Sequence, residues 1–115
     1  MSENILQKII DQKKTKIEKL KLEIDINRLL HTISEKDVFF DFKKKIQTKN
    51  SENKISIIAE IKKASPSAGI LIDDYDPVKI ANIYNSKNVT CLSVLTEEDF
   101  FLGNLSHISE IKKKI

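Results

Sequence analysis

Two short β-branched runs lie about 33 residues apart, and this spacing constrains the fold of the 115-residue chain more than any other feature. The first is Ile55-Ser56-Ile57-Ile58-Ala59-Glu60-Ile61 and the second is Val89-Thr90-Cys91-Leu92-Ser93-Val94-Leu95. Each reads as a buried strand, because parallel strands covered on both faces are nearly continuous in apolar residues. Between them, Asp76-Pro77 marks a helix start. The aspartate accepts from free N–H groups, and the proline occupies the first helical position. Ile80, Ile83 and Tyr84 then share one helical face. A strand, a helix and a strand within roughly 30 residues or more form one βαβ unit. Such a crossover is right-handed and its strands are parallel. A last helix is predicted from the spacing of Leu105, Ile108, Ile111 and Ile115.

Upstream the period changes. Ile5, Leu6, Ile9 and Ile10 recur at helical spacing, and Ile17, Leu20 and Ile24 continue it. A second short helix is expected around Asp37–Lys45, anchored by Val38, Phe39, Phe40 and Phe42, with polar Thr48–Lys54 as a connector. The predicted order is helix, helix, strand, helix, strand, helix. This divides the chain into an N-terminal helical extension, 1–48, and two βα units, 49–115. The class is α/β, with no internal sequence repeat. Two parallel strands leave a sheet unfinished, so the chain is expected to be the opening part of a larger sheet, leading from its last helix into a third strand.

Composition narrows the function classes. Hydrophobic residues make up 40% of the chain, too many for a disordered tail. No run of about 18 apolar residues is present, so no membrane span is expected, and the N-terminus lacks the apolar core of a signal peptide. Cys91 stands alone and makes no internal disulfide, in keeping with a reducing cytoplasm. The net charge of +3 comes from 20 basic and 17 acidic residues, mostly interspersed, so no nucleic-acid partner is expected. Lys43-Lys44-Lys45 and Lys112-Lys113-Lys114 read as solvated helix ends that complement the helix dipole.

The first strand carries the candidate chemistry. Side chains alternate along a strand, so Ile57, Ala59 and Ile61 point one way and Ile58, Glu60 and Lys62 the other. The first set suits packing against helices. The second ends in two opposite charges, about 7 Å apart along the strand. A charge pair on a buried strand is costly unless it is paired or wet. From the pattern, a structural ion pair and a catalytic pair are equally good readings. The loop that follows, Lys63-Ala64-Ser65-Pro66-Ser67-Ala68-Gly69, offers two hydroxyls. Pro66 biases Ser65 toward extended backbone, and Gly69 permits a positive φ or a close approach to a ligand.

The stretch Ile57-Ile58-Ala59-Glu60-Ile61-Lys62-Lys63-Ala64-Ser65-Pro66-Ser67-Ala68-Gly69 is similar to the first strand and loop of the indole-3-glycerol phosphate synthase family. Asp74-Tyr75-Asp76-Pro77 resembles that family's entry to its first barrel helix. Ser93-Val94-Leu95-Thr96-Glu97-Glu98-Asp99-Phe100-Phe101-Leu102-Gly103 resembles its second strand and loop. Asn4-Ile5-Leu6-Gln7-Lys8-Ile9-Ile10 resembles its N-terminal extension. The resemblance implies the N-terminal part of a (β/α)8 TIM barrel. It also implies a carboxy-lyase of tryptophan biosynthesis, acting on a small phosphorylated substrate with no metal or organic cofactor. By the same resemblance, Lys62 would meet the substrate carboxylate and donate a proton, and Glu60 would act in proton transfer and stabilise cationic character. Ser65 would lie near the substrate. Phe101 would pack on its aromatic ring, a core phenylalanine being the alternative. The family's third-strand lysine and its phosphate loops would fall beyond Ile115, so the isolated chain is expected to be inactive. Many relatives carry lysine where this chain has Ala68, and some are fused to phosphoribosylanthranilate isomerase. The alternatives from other classes are a small basic α/β binding module and a non-catalytic subunit of a split barrel.

Overall fold

Every described helix but the last begins where a short polar side chain takes up free backbone N–H groups. The computed structural model describes residues 4–115; residues 1–3, on which part of the N-terminal reading rests, lie outside them. Helix α1 spans Ile5–Glu23, and Asn4 accepts from Leu6 N and Gln7 N at 3.1 and 3.4 Å. Helix α2, Ile26–Ser34, is capped by Asp25, which accepts from Asn27 N. Helix α3, Phe42–Ser51, is capped by Asp41, which accepts from Lys44 N at 2.9 Å. These caps rest on local hydrogen bonds, which is why they follow so closely from residue type.

The expected helix over Asp37–Lys45 is therefore displaced. It starts after Asp41 and runs on through Ser51, into the stretch read as a connector. Val38, Phe39 and Phe40 precede it and are 73%, 64% and 74% exposed, so they do not anchor it. The cap at Asp41 decided the start. The chain forms two compact units, Met1–Phe40 and Asp41–Ile115. The boundary drawn at 48/49 from composition falls inside α3.

The second unit holds the sheet. Strand β1 (Ile58–Ile61) is followed by a small hairpin, β2 (Ala64–Ser65) and β3 (Gly69–Ile70), then by helix α4 (Pro77–Ser86) and strand β4 (Cys91–Val94). Helix α5, Ser106–Lys112, ends the unit. β1 and β4 are parallel, with Ile58 against Cys91, Ala59 against Leu92, Glu60 against Ser93 and Ile61 against Val94. The expected βαβ unit is present, and both strands are shorter than the runs that signalled them. At the start of β1, Thr90 explains this: its hydroxyl accepts from Ile57 N at 3.0 Å, in place of a ladder bond. The hairpin was not expected. Gly69 supplies its positive φ of 68°, and Leu71 N closes it on Lys63 O at 2.8 Å.

One face of this sheet is packed. Ile61, Ala81 and Ile111 form the buried core, with Tyr75, Val78, Ile80, Tyr84, Leu92 and Val94 against them. Ala59 is buried on the same side. Alternation thus sends Ala59 and Ile61 toward α4 and α5, as expected, while Ile58 and Glu60 stay exposed. Ile57, just ahead of the strand, is exposed as well and does not join the core. Both helix-to-strand connections turn on an asparagine in the left-handed region, Asn53 at φ 55° and Asn88 at φ 59°. Asparagine tolerates that conformation better than most side chains.

Candidate functional site

The structure brings Glu60 and Lys62 together at the end of β1, while Ser65 and Phe101 lie in the segments that follow β1 and β4. Glu60 and Lys62 lie two residues apart and project to the same side of β1. Lys62 Nζ lies 2.9 Å from Glu60 Oε1, with side-chain exposures of 29% and 51%. An ion pair this wet contributes little to stability. It holds the ammonium at a defined point, and an ammonium has three donors, so a contact with Glu60 leaves others for an incoming anion. Lys63 follows in a bend beyond the end of β1.

Ser65 sits in the hairpin just beyond. Its hydroxyl accepts from Ala68 N at 3.1 Å and lies 3.5 Å from Ser67 Oγ. The serine therefore braces the turn over Pro66 and Ser67. Leu95 N donates to Ile61 O at 3.0 Å, so β4 delivers its own loop beside the point where Lys62 leaves β1. That loop carries Phe101, which is partly buried.

Residue patterns missed three contributors. Ser93 stands in register with Glu60 on the neighbouring strand. The only signal for it was its place in the second apolar run. Tyr84, assigned to the apolar face of α4, also donates its hydroxyl to Glu60 O at 3.2 Å. Glu97 accepts from three successive backbone groups: Asp99 N at 2.8 Å, Phe100 N at 2.7 Å and Phe101 N at 2.9 Å. Burial pushes this carboxyl up. The bonds from Phe101, Asp99 and Phe100 more than offset it, so Glu97 lies below the usual glutamate value. Among the described residues, no three His, Cys, Asp or Glu side chains gather to hold a metal ion.

The model of indole-3-glycerol phosphate synthase matches residues 6–115. The chain belongs to the indole-3-glycerol phosphate synthase family. It is 41% identical over 110 residues to the indole-3-glycerol phosphate synthase of Desulforamulus reducens, covering 96% of this chain and 40% of that protein. The synthase of Alkaliphilus metalliredigens is 41% identical over 109 residues, 95% of this chain and 41% of its own length. That of Microcystis aeruginosa is 34% identical over 113 residues, 98% of this chain and 38% of its own length. The chain thus spans about two fifths of the length of these synthase relatives. The family match displaces the basic binding module as a reading of these residues. No helix among the described residues is long and apolar enough to cross a membrane.

Proposed function

We propose that the full-length protein containing this chain is an indole-3-glycerol phosphate synthase. It would convert 1-(2-carboxyphenylamino)-1-deoxyribulose 5-phosphate to indole-3-glycerol phosphate, with release of carbon dioxide and water. The observation that carries this reading is the Glu60–Lys62 pair, 2.9 Å apart at the end of β1 and beside the loop that bears Phe101. In the complete protein, β1 and β4 would be the first two strands of a TIM barrel, whose active sites lie at the C-terminal ends of the strands. The parallel register supports that placement, since it puts both loops at the same end.

On this reading the Lys62 ammonium meets the substrate carboxylate, and it donates a proton as the ring-closed intermediate goes on to lose carbon dioxide and water. Glu60, bonded to Lys62, lowers the cost of positive charge that develops beside it and accepts protons. Ser65 borders the substrate while bracing its loop. Phe101 offers an apolar surface for the carboxyphenyl ring. No added cofactor is invoked, and the protein would work in the cytoplasm on a small phosphorylated substrate. The general acid and phosphate site expected on later strands would come from the remaining part of the family fold.

The test is direct. Purified full-length protein is expected to form indole-3-glycerol phosphate from the carboxyphenylamino substrate, and the 115-residue chain alone to form none. A full-length protein that binds the substrate without releasing carbon dioxide would refute the reading.

A further inference from the structure

Glu97 lies outside the charge pair used in the proposed reaction, yet both of its oxygens are engaged. Oε1 accepts from Asp99 N, and Oε2 from Phe100 N and Phe101 N, all between 2.7 and 2.9 Å. Hydrogen bonds to a charged acceptor are roughly twice as strong as neutral ones. The loop closes around this carboxylate. Gly103 N donates to Glu97 O at 2.7 Å. Leu102 takes a left-handed φ of 53° to allow the return. A Cβ on Gly103 would run into the Leu95 carbonyl, 2.8 Å from its carbon and 2.9 Å from Thr96 Cα. The backbone at Phe101 is therefore held from inside the loop, by one side chain.

We propose that Glu97 is a positioning residue, whose carboxylate fixes the Phe101 backbone and so sets the aromatic side of the substrate site relative to Lys62. This role rests on the synthase reading. Three backbone donors already occupy the Glu97 oxygens, so the residue is placed to hold geometry rather than to exchange protons with a substrate. The geometry matters because the loop leaves β4 directly after Val94, the register partner of Ile61, next to Lys62. Small displacements of a substrate contact can carry large kinetic costs.

The test is a double-mutant cycle in the full-length protein. Glu97→Ala is expected to raise KM roughly ten-fold with little change in kcat, the pattern of a lost binding contact. Glu97→Gln keeps one carbonyl acceptor and should raise KM less. Either change made on top of Phe101→Ala should add nothing further. Amide exchange at Phe100 and Phe101 should be slow in the wild type and fast in Glu97→Gln. Should Glu97→Ala fail to fold, the glutamine cycle and the exchange readout decide the matter. Additive KM effects, or unchanged amide protection, would overturn the role of Glu97 and leave the synthase reading standing. Absence of turnover by the wild type would remove both.

Discussion

The two loops that leave the sheet at its carboxyl end are held by different chemistry. The loop after β1 is held by neutral groups: the β2–β3 backbone pairs, Leu71 N on Lys63 O, and the Ser65 hydroxyl on Ala68 N. The loop after β4 is held by a charge, with three N–H groups on the Glu97 carboxylate. The first loop springs from Lys62, whose charge would meet the substrate on the proposed reading. Framing it with neutral bonds leaves that charge undisturbed by its own support. The second loop contributes a phenylalanine, and there a carboxylate is free to serve geometry alone.

The largest expected effect falls at the root of the first loop. Lys62→Ala in the full-length protein would leave a substrate carboxylate unpaired in a partly dry site, at a cost of about 3–5 kcal/mol. That corresponds to roughly 10²–10³-fold or more in rate. Lys63→Ala, one residue on in the bend beyond β1, should be mild. Steady-state kinetics of the two variants side by side is the measurement, and equal, mild effects would reduce Lys62 to a structural partner of Glu60.

Next come the loop glycines, which differ in kind. At Gly103 an added Cβ meets backbone, so Gly103→Ala should cost roughly 2–3 kcal/mol in denaturant unfolding of the full-length protein. At Gly69 the space is open and only the φ of 68° is strained, so Gly69→Ala should cost about 1 kcal/mol. The reverse order would mean that the second loop has slack its close contacts do not suggest.

Acid should separate the loops again, by a smaller margin. Glu97 is depressed below its ordinary value of 4.5, so the stability it contributes is complete above that value and is lost as pH falls through the depressed one. Amide protection at Phe100 should therefore fall in that acid window, while protection at Ala68, held by the Ser65 hydroxyl, should not follow it. Parallel loss at both amides would mean global unfolding rather than release of the Glu97 loop. Ser65→Ala should have the smallest effect on stability, about 0.5 kcal/mol for one exposed neutral hydrogen bond, read from the same denaturant curves.

Much of this was legible residue by residue. Asp76 caps α4 by accepting from Lys79 N at 3.1 Å, as the Asp76-Pro77 pair indicated. Ala59 and Ile61 are buried where alternation put them. The start of α3 was not legible, because Asp37 and Asp41 are both competent caps and three apolar residues between them favoured the earlier one. The hairpin was hidden for a related reason: two-residue strands are too short to show a period. The shared use of Asn53 and Asn88 went unseen because one backbone conformation can recur without a repeated sequence.

The sequence by itself determined what depends on near neighbours. The Asp76 cap, the turn glycine and the common side of Glu60 and Lys62 all follow from bonds and alternation within a few residues. Tertiary structure decided what depends on register and on the path of a loop. It set Ser93 against Glu60 and carried the Tyr84 hydroxyl to Glu60 O. The physical reason is that a side chain in a sequence carries no direction toward a group far along the chain. Its partner becomes specific only when the fold fixes which groups can reach it and excludes enough water to make the bond preferred.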